Sequence, residues 1–410
     1  MSTTTSSNPE TERIMKKFSK YGEINEISQQ YEPTPYKKVE AEPVAKDLWN
    51  NNIIWEFAKG LSPGVDLTRI PFPVCITQAR SFLQNFTDYF EHWNYLSLAA
   101  NEDDPYKRTK LVAQWYLSGF AHAMKVVRKP YNPILGEVFR CMWEDPKSKS
   151  KTHYIAEQVS HHPPISAFYV SNREDGWIGS GTITFSVSFY GVSAWAYLNG
   201  VQKIKLLKYD EEYTWAFPPT KASGFFVGPF IMEMGGVVEI KCNKNPYWAS
   251  LDFKTTSMFS SANLYKVEGK IMNGSKQVDT IQGQYFEKIT LNNKDTFFDA
   301  KNPPESPIRY EVPFENLWGK ESQYVWQDLT KAVIKGDGQD AADKKYEVEE
   351  WQRQERIQDQ KQGKIYVPKF FEKVNDTTYK YLFYNEAPFQ KGEEEAYEMA
   401  GMIMSRRKQL

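Results

Sequence analysis

The densest run of side chains that could do chemistry is EQVSHHPP, Glu157 to Pro164. Its histidines, His161 and His162, are adjacent. Neighbours on an extended strand point to opposite faces, so the pair is poorly placed to chelate one metal ion. The chain holds five histidines, and none supplies a third ligand at a metal-site spacing. A serine hydrolase would need a nucleophile held beside a base, and none is expected here. Pro163 and Pro164 fix the backbone after the pair, which would hold two imidazoles at a strand end as donors for an anionic oxygen. Taken alone, the same residues serve as well as satisfied structural histidines.

Two further runs pose the same choice. RKPYNPILGE, Arg128 to Glu137, sets Lys129 and Asn132 around a proline-restricted turn. That is either an anion cradle or a plain turn with a solvated lysine. KYEVEEWQR, Lys345 to Arg353, spaces Lys345, Glu349 and Arg353 four residues apart, so they share one helix face about 12 Å long. The ladder is either a row of surface ion pairs worth about 0.3–0.5 kcal/mol each, or two cations with Glu349 orienting the Arg353 guanidinium toward a phosphate.

These runs depend on the elements that carry them. From Asn51 to Leu61, NNIIWEFAKGL places Ile54, Phe57, Ala58 and Leu61 at helical spacing and leaves Ile53 and Trp55 off that stripe. A helix that is apolar on more than one side is either a core helix or a lid over a greasy opening. Residues 79–123 read as helical, with Phe82, Phe86, Tyr89 and Phe90 on one stripe that Trp115 and Leu117 resume. Beyond Pro130 the period becomes two, as in Ile183, Phe185, Val187 and Phe189, or Tyr247, Ala249, Leu251 and Phe253. Turn pairs such as Asn199-Gly200 and Asn273-Gly274 separate the runs. Many successive antiparallel strands predict a barrel, which removes exposed edges and encloses a cavity when it is large. After Pro303 the helical period returns.

Composition narrows the function. Of 410 residues, 25 are Tyr, 25 Phe and 12 Trp, which suits a large half-buried sheet. A formal net charge of −1 excludes a nucleic-acid binder driven by bulk charge. Cys75, Cys141 and Cys242 are scattered and read as reduced thiols. No signal or bilayer-spanning segment is legible, so the expected location is the cytoplasm, with transient, peripheral contact to membrane surfaces.

Together the three runs resemble the oxysterol-binding protein family. EQVSHHPP matches the family fingerprint, KP-x-NP-x-LGE precedes it, and K-x-x-x-E-x-x-Q-R follows in family order, within a resemblance from about Leu61 to Phe371 that includes VPKFFEKV. The resemblance implies a mostly β, α+β fold: a large incomplete antiparallel barrel around a lipid tunnel, with an N-terminal lid and helices and a C-terminal helical extension. The implied lipid-binding domain covers 51–371, with the lid at 51–61, a helical part at 79–123, the barrel at 130–298 and C-terminal helices at 314–362. A polar arm (1–50) and an extension (372–410) flank it. Carried over residue by residue, the phosphoinositide head-group site is Lys129, Asn132, His161, His162, Lys345, Glu349 and Arg353, while the helical pattern of Asn51 to Leu61 gives Ile54, Trp55, Phe57 and Leu61 as the lid residues.

The implied activity is lipid transfer rather than catalysis, by a monomer with no cofactor or metal. Phosphatidylinositol 4-phosphate and a second lipid would exchange through one tunnel. A sensor or scaffold that never moves lipid would need the same pocket. The second lipid is sterol, the family default, or phosphatidylserine. DLTRIPFPVCITQARSFL, Asp66 to Leu83, resembles a stretch of the branch associated with phosphatidylserine, with Thr77 and Gln78 where that branch has Leu-Glu. TFFDAK, Thr296 to Lys301, resembles a two-phenylalanine tract that docks on an endoplasmic-reticulum receptor. It lacks that tract's flanking acids and is read as structural.

Overall fold

The computed structural model describes residues 9, 13, 37–39, 51–67, 70, 72–122, 128–226, 230–257, 260–317 and 319–387. Most of the expected polar arm, including a short helix expected over 14–24, and the last part of the extension, 388–410, lie outside the described residues.

The alternating segments form one 17-stranded sheet. Val138–Glu144, Lys151–His161, Pro164–Asn172 and Trp177–Phe189 pair antiparallel, each with the next. The sheet then forks. The end of the long strand, Thr184–Phe189, pairs with Ser193–Asn199, while its start, Trp177–Gly181, pairs with Gln202–Leu206. The short arm continues from Ser193–Asn199 to Thr220–Ser223 and Ile231–Met234. The long arm runs through Glu211–Trp215, Gly236–Cys242, Tyr247–Phe253, Lys266–Asn273, Lys276–Gln284 and Lys288–Leu291 to Asp295–Asp299. On the other edge Val138–Glu144 pairs with Ile308–Glu311, which pairs in turn with Lys37–Lys38. The sheet therefore gains strands outside the expected 130–298 span.

Its hollow is largely filled. In Tyr247–Phe253 the inward residues Ala249, Leu251 and Phe253 are at most 1% exposed. They join Tyr154, Phe168 and Trp177 against Phe86, Phe90, Trp93, Trp115 and Phe120. Those last five come from the expected helical part, which differs in detail. Thr77–Ser81 is a strand paired in parallel with Lys129–Tyr131, and the helices are Phe82–Asn85, Asn94–Ala100 and Pro105–Ser118. Asp104 caps the last of these by accepting from the Tyr106 amide at 2.9 Å. Each large side chain so buried contributes about 1.5–3 kcal/mol.

Elsewhere the chain closes around this core. Phe297 and Phe298 of the TFFDAK tract are 4% and 2% exposed, and the Phe297 carbonyl accepts from Gln114 at 2.5 Å. The tract is part of the fold. The hairpin of Phe371–Asn375 and Thr378–Tyr381 packs Phe371, Tyr381 and Phe383 over Ile155 and Tyr169 on the sheet's outer face, so the expected boundary at 371 falls inside a packed element. Cys75, Cys141 and Cys242 form no disulfide. Among the described residues no helix is long and apolar enough to cross a membrane.

Candidate functional site

Two cavities adjoin where the helices leave the sheet's hollow open. The first, about 210 Å³, is apolar and lined by Ile54, Phe57, Phe82, Phe185, Ala222 and Met232 among others. The second, about 550 Å³, is lined by Lys129, Asn132, His161, His162, Lys345, Glu349, Arg353 and Arg356 among others. Phe72, Lys129, Pro130, Tyr131 and Asn132 line both and form the junction.

The helix Asn51–Lys59 lies over the apolar cavity. Ile54 is 3% exposed and packs with Cys75, Ile76, Phe72 and Phe225. Ile53 and Trp55, off the apolar stripe, are 47% and 42% exposed, and the Lys59 ammonium sits 3.4 Å over the Trp55 ring. Leu61 packs beside Leu67 and Phe189 at the end of the helix. The chain does contain one G-x-S-x-G run, Gly60 to Gly64, contrary to the expectation of no nucleophile signature. It forms the turn after this helix, with Ser62 exposed, whereas a nucleophile elbow joins a strand to a following helix.

All seven residues read as a head-group site line the second cavity. Lys129 opens the strand paired to Thr77–Ser81, and Asn132 follows that strand directly. His161 ends the strand Lys151–His161, and the tight hairpin through the cis His162–Pro163 peptide pairs it with Pro164. Ser160 Oγ donates to the Pro163 carbonyl at 2.8 Å and holds that turn. Lys345, Glu349 and Arg353 stand on the helix Gly338–Lys361, which docks through Ala341, Val348 and Trp351 onto Tyr131, Ile134, Leu329 and Val333.

Glu137 and Glu157, each from one of the two proline-containing runs, are staples. Glu137 is fully buried and accepts from Ser81 Oγ, Ser322 Oγ, Trp326 Nε1 and the Ile134 amide at 2.5–3.0 Å. It thereby joins three segments of chain around the cavity. Burial pushes its carboxyl pKa up, against those four donors. Glu157, also fully buried, accepts from Tyr366 and from the Lys369 and Phe370 amides at 2.5–2.9 Å. It ties the segment after the long helix to the strand that ends in the histidines.

The cavity's own charges repel one another. The Lys129 ammonium lies 4.1 Å from the Phe72 ring centroid. Burial first, then the Lys345 ammonium, hold its pKa down to about 8, against Glu349. Burial first, then His162 and Arg356, hold the His161 imidazole down to about 4, against its hydrogen bond to the Pro133 backbone. The two imidazole rings meet edge to face with centroids 4.6 Å apart. An anion placed among these groups would relieve both depressions.

One expected contact is different. Glu349 pairs with Lys345 at 2.9 Å, and Arg353 is held instead by Glu350, three residues before it, also at 2.9 Å. Glu350 is 5% exposed, while the Arg353 side chain stays 52% exposed. Sequence reasoning also passed over Phe72, Gln352 and Arg356 as lining residues. The helical period places Gln352 and Arg356 seven and eleven residues after Lys345, on the same face.

A lidded apolar cavity adjoining a cationic one, inside a large antiparallel sheet, is the architecture of a lipid-binding domain. Residues 53–331 match the oxysterol-binding protein family, and the chain belongs to that family, whose members are binding proteins rather than enzymes. It is 41% identical to oxysterol-binding protein-related protein 5 of Mus musculus over 85% of this chain and 40% of that protein. It is 35% identical to oxysterol-binding protein 4 of Dictyostelium discoideum over 86% of this chain and 78% of that one. The chain thus spans about two fifths of the length of the mouse relative. The fold matches the Osh1 ORD domain in complex with cholesterol, at TM-score 0.65 and 21% identity over 98% of this chain and 99% of that one. It also matches the Osh3 ORD of Saccharomyces cerevisiae in complex with PI(4)P, at TM-score 0.66 and 22% identity over 90% and 97%.

Proposed function

We propose that this protein exchanges phosphatidylinositol 4-phosphate for a second lipid, a sterol or phosphatidylserine, between membrane surfaces. In this reading the acyl chains or the sterol occupy the apolar cavity, and the inositol phosphate occupies the cationic one. The observation that carries it is adjacency: Phe72 and Lys129 to Asn132 line both cavities, which puts a tail site within reach of a lipid whose head sits in the cationic one. Ile54 and Phe57 would then cover the tail, and the exposed Trp55 would face the membrane. The structural neighbours bound to cholesterol and to PI(4)P support a sterol and a phosphoinositide as the two classes of ligand.

The test is competition. Unlabelled phosphatidylinositol 4-phosphate should displace the bound second lipid completely at saturation, and vesicles carrying opposing lipids should exchange them at catalytic protein concentration. Additive binding of both lipids would exclude the shared tunnel. Binding without transfer would mark a sensor or scaffold. Mass spectrometry of co-purifying lipids identifies the second ligand.

Head-group binding should also weaken as pH rises from 7.5 to 9. The charged ammonium of Lys129 is the form that attracts phosphate, and its pKa near 8 in the free protein is raised by a bound anion. Affinity is therefore retained below that value and falls by up to about tenfold per pH unit above it. The phosphate itself is already dianionic there, since its second pKa is about 6. Isothermal titration across this range checks the fall, and Lys129→Arg should flatten it.

A further inference from the structure

The cationic cavity has two poles. Lys129 lines both cavities, whereas His161, His162, Lys345, Arg353 and Arg356 line only the second. Among the four cations, two are already committed: Lys345 to Glu349 and Arg353 to Glu350, each at 2.9 Å. Lys129 and Arg356 form no ion pair among the described residues; Lys129 instead rests over the Phe72 ring. The cavity therefore offers one uncommitted cation at each pole. Arg356 is close enough to His161 to oppose protonation of its imidazole, which places its charge at the histidine pole.

An inositol phospholipid is bipolar in the same sense. Its phosphodiester is attached to the glycerol, and its monoester sits across the inositol ring. With the tail in the apolar cavity, the diester falls at the junction and the monoester at the far pole. We propose that Arg356 is a further head-group ligand that reads the monoester phosphate, while Lys129 reads the diester common to all phosphatidylinositols. The inference rests on the phosphoinositide reading above and adds a residue outside the three sequence runs. Because the guanidinium is always charged and has no carboxylate to leave, it supplies discrimination without the cost of breaking an ion pair.

The two residues should dissociate experimentally. The probes are water-soluble short-chain phosphatidylinositol 4-phosphate and the matching unphosphorylated phosphatidylinositol, titrated into the full chain by calorimetry. Arg356→Gln should weaken binding of the monophosphate about tenfold to a hundredfold, the range for one charge-assisted bond. It should leave the unphosphorylated lipid within about twofold, that is, within a few tenths of a kcal/mol. Lys129→Met should weaken both probes by the same factor. Arg356→Lys, which keeps the charge and loses the planar fork, should recover part of the loss. In the free Arg356→Gln protein the His161 imidazole should take up its proton at a higher pH, read from its proton resonances in a titration. Failure of the wild-type protein to prefer the monophosphate overturns the phosphoinositide reading itself. A normal preference in Arg356→Gln, or an equal loss for both probes, overturns the assignment of Arg356 alone.

Discussion

Replacing His161 and His162 together by alanine should abolish phosphoinositide binding and leave extraction of the second lipid intact. A phosphomonoester carries nearly two negative charges at neutral pH, so it needs donors converging from separate segments. Here they come from the ends of two strands and from a helix that close around one cavity. Each charge-assisted bond contributes about 1.5–3 kcal/mol, so losing two costs on the order of a hundredfold to ten-thousandfold in affinity. Neither histidine lines the apolar cavity, and the hairpin keeps its Ser160–Pro163 bond. Parallel vesicle assays with phosphatidylinositol 4-phosphate and with sterol or phosphatidylserine measure both arms. Wild-type phosphoinositide affinity in the double variant would remove the head-group site from this cavity. Loss of both lipids would mean that the histidines hold the fold.

The second large effect is on stability. Arg140, from the strand Val138–Glu144, meets Glu321 through Nε–Oε1 at 2.6 Å and Nη2–Oε2 at 3.1 Å, with both side chains 1% exposed. Glu321→Ala leaves a guanidinium buried without its carboxylate, a change that costs about 3–5 kcal/mol. Glu321 also precedes Ser322, which donates to Glu137, so the pair fastens the C-terminal helices to the sheet. Urea unfolding should show the loss as a lower midpoint. The double replacement Arg140→Met with Glu321→Leu should recover much of it, because two apolar groups leave no charge stranded. A single variant as stable as wild type would show that water reaches the pair.

Much of this arrangement is written in local periodicity. Tyr247 to Phe253 alternates because its inner face packs on the helices, and Ile183 to Phe189 because Phe185 and Val187 line the apolar cavity while Val187 and Phe189 cluster with Leu67. The apolar stripe of Asn51–Lys59 separates Ile54 from Trp55 in the way the structure does. Thr77–Ser81 was illegible as a strand, since TQARS has no alternation and its partner lies fifty residues away. The pairing of Glu349 was misread because a helix offers i+3 and i+4 partners on both sides, and only the docked orientation of Val348 and Trp351 decides which carboxylate reaches Arg353. Arg356 lay one turn beyond the run that drew attention, where spacing alone cannot tell a ligand from a solvated arginine.

The forked sheet has a mechanical consequence. Ala194, Ala196, Leu198, Thr220, Ala222, Met232 and Met234, which line the apolar cavity, all lie on the three strands of the short arm. This wall is a leaf paired to one end of the strand Trp177–Phe189 and joined through Gly235 to the strand Gly236–Cys242 of the longer arm, which starts from the other end. A hoop of continuous strands could widen only by stretching its whole circumference. A leaf could tilt, and in the exchange reading one faced with small alanines and pliable methionines would re-mould itself to a rigid ring system or to a splayed pair of chains.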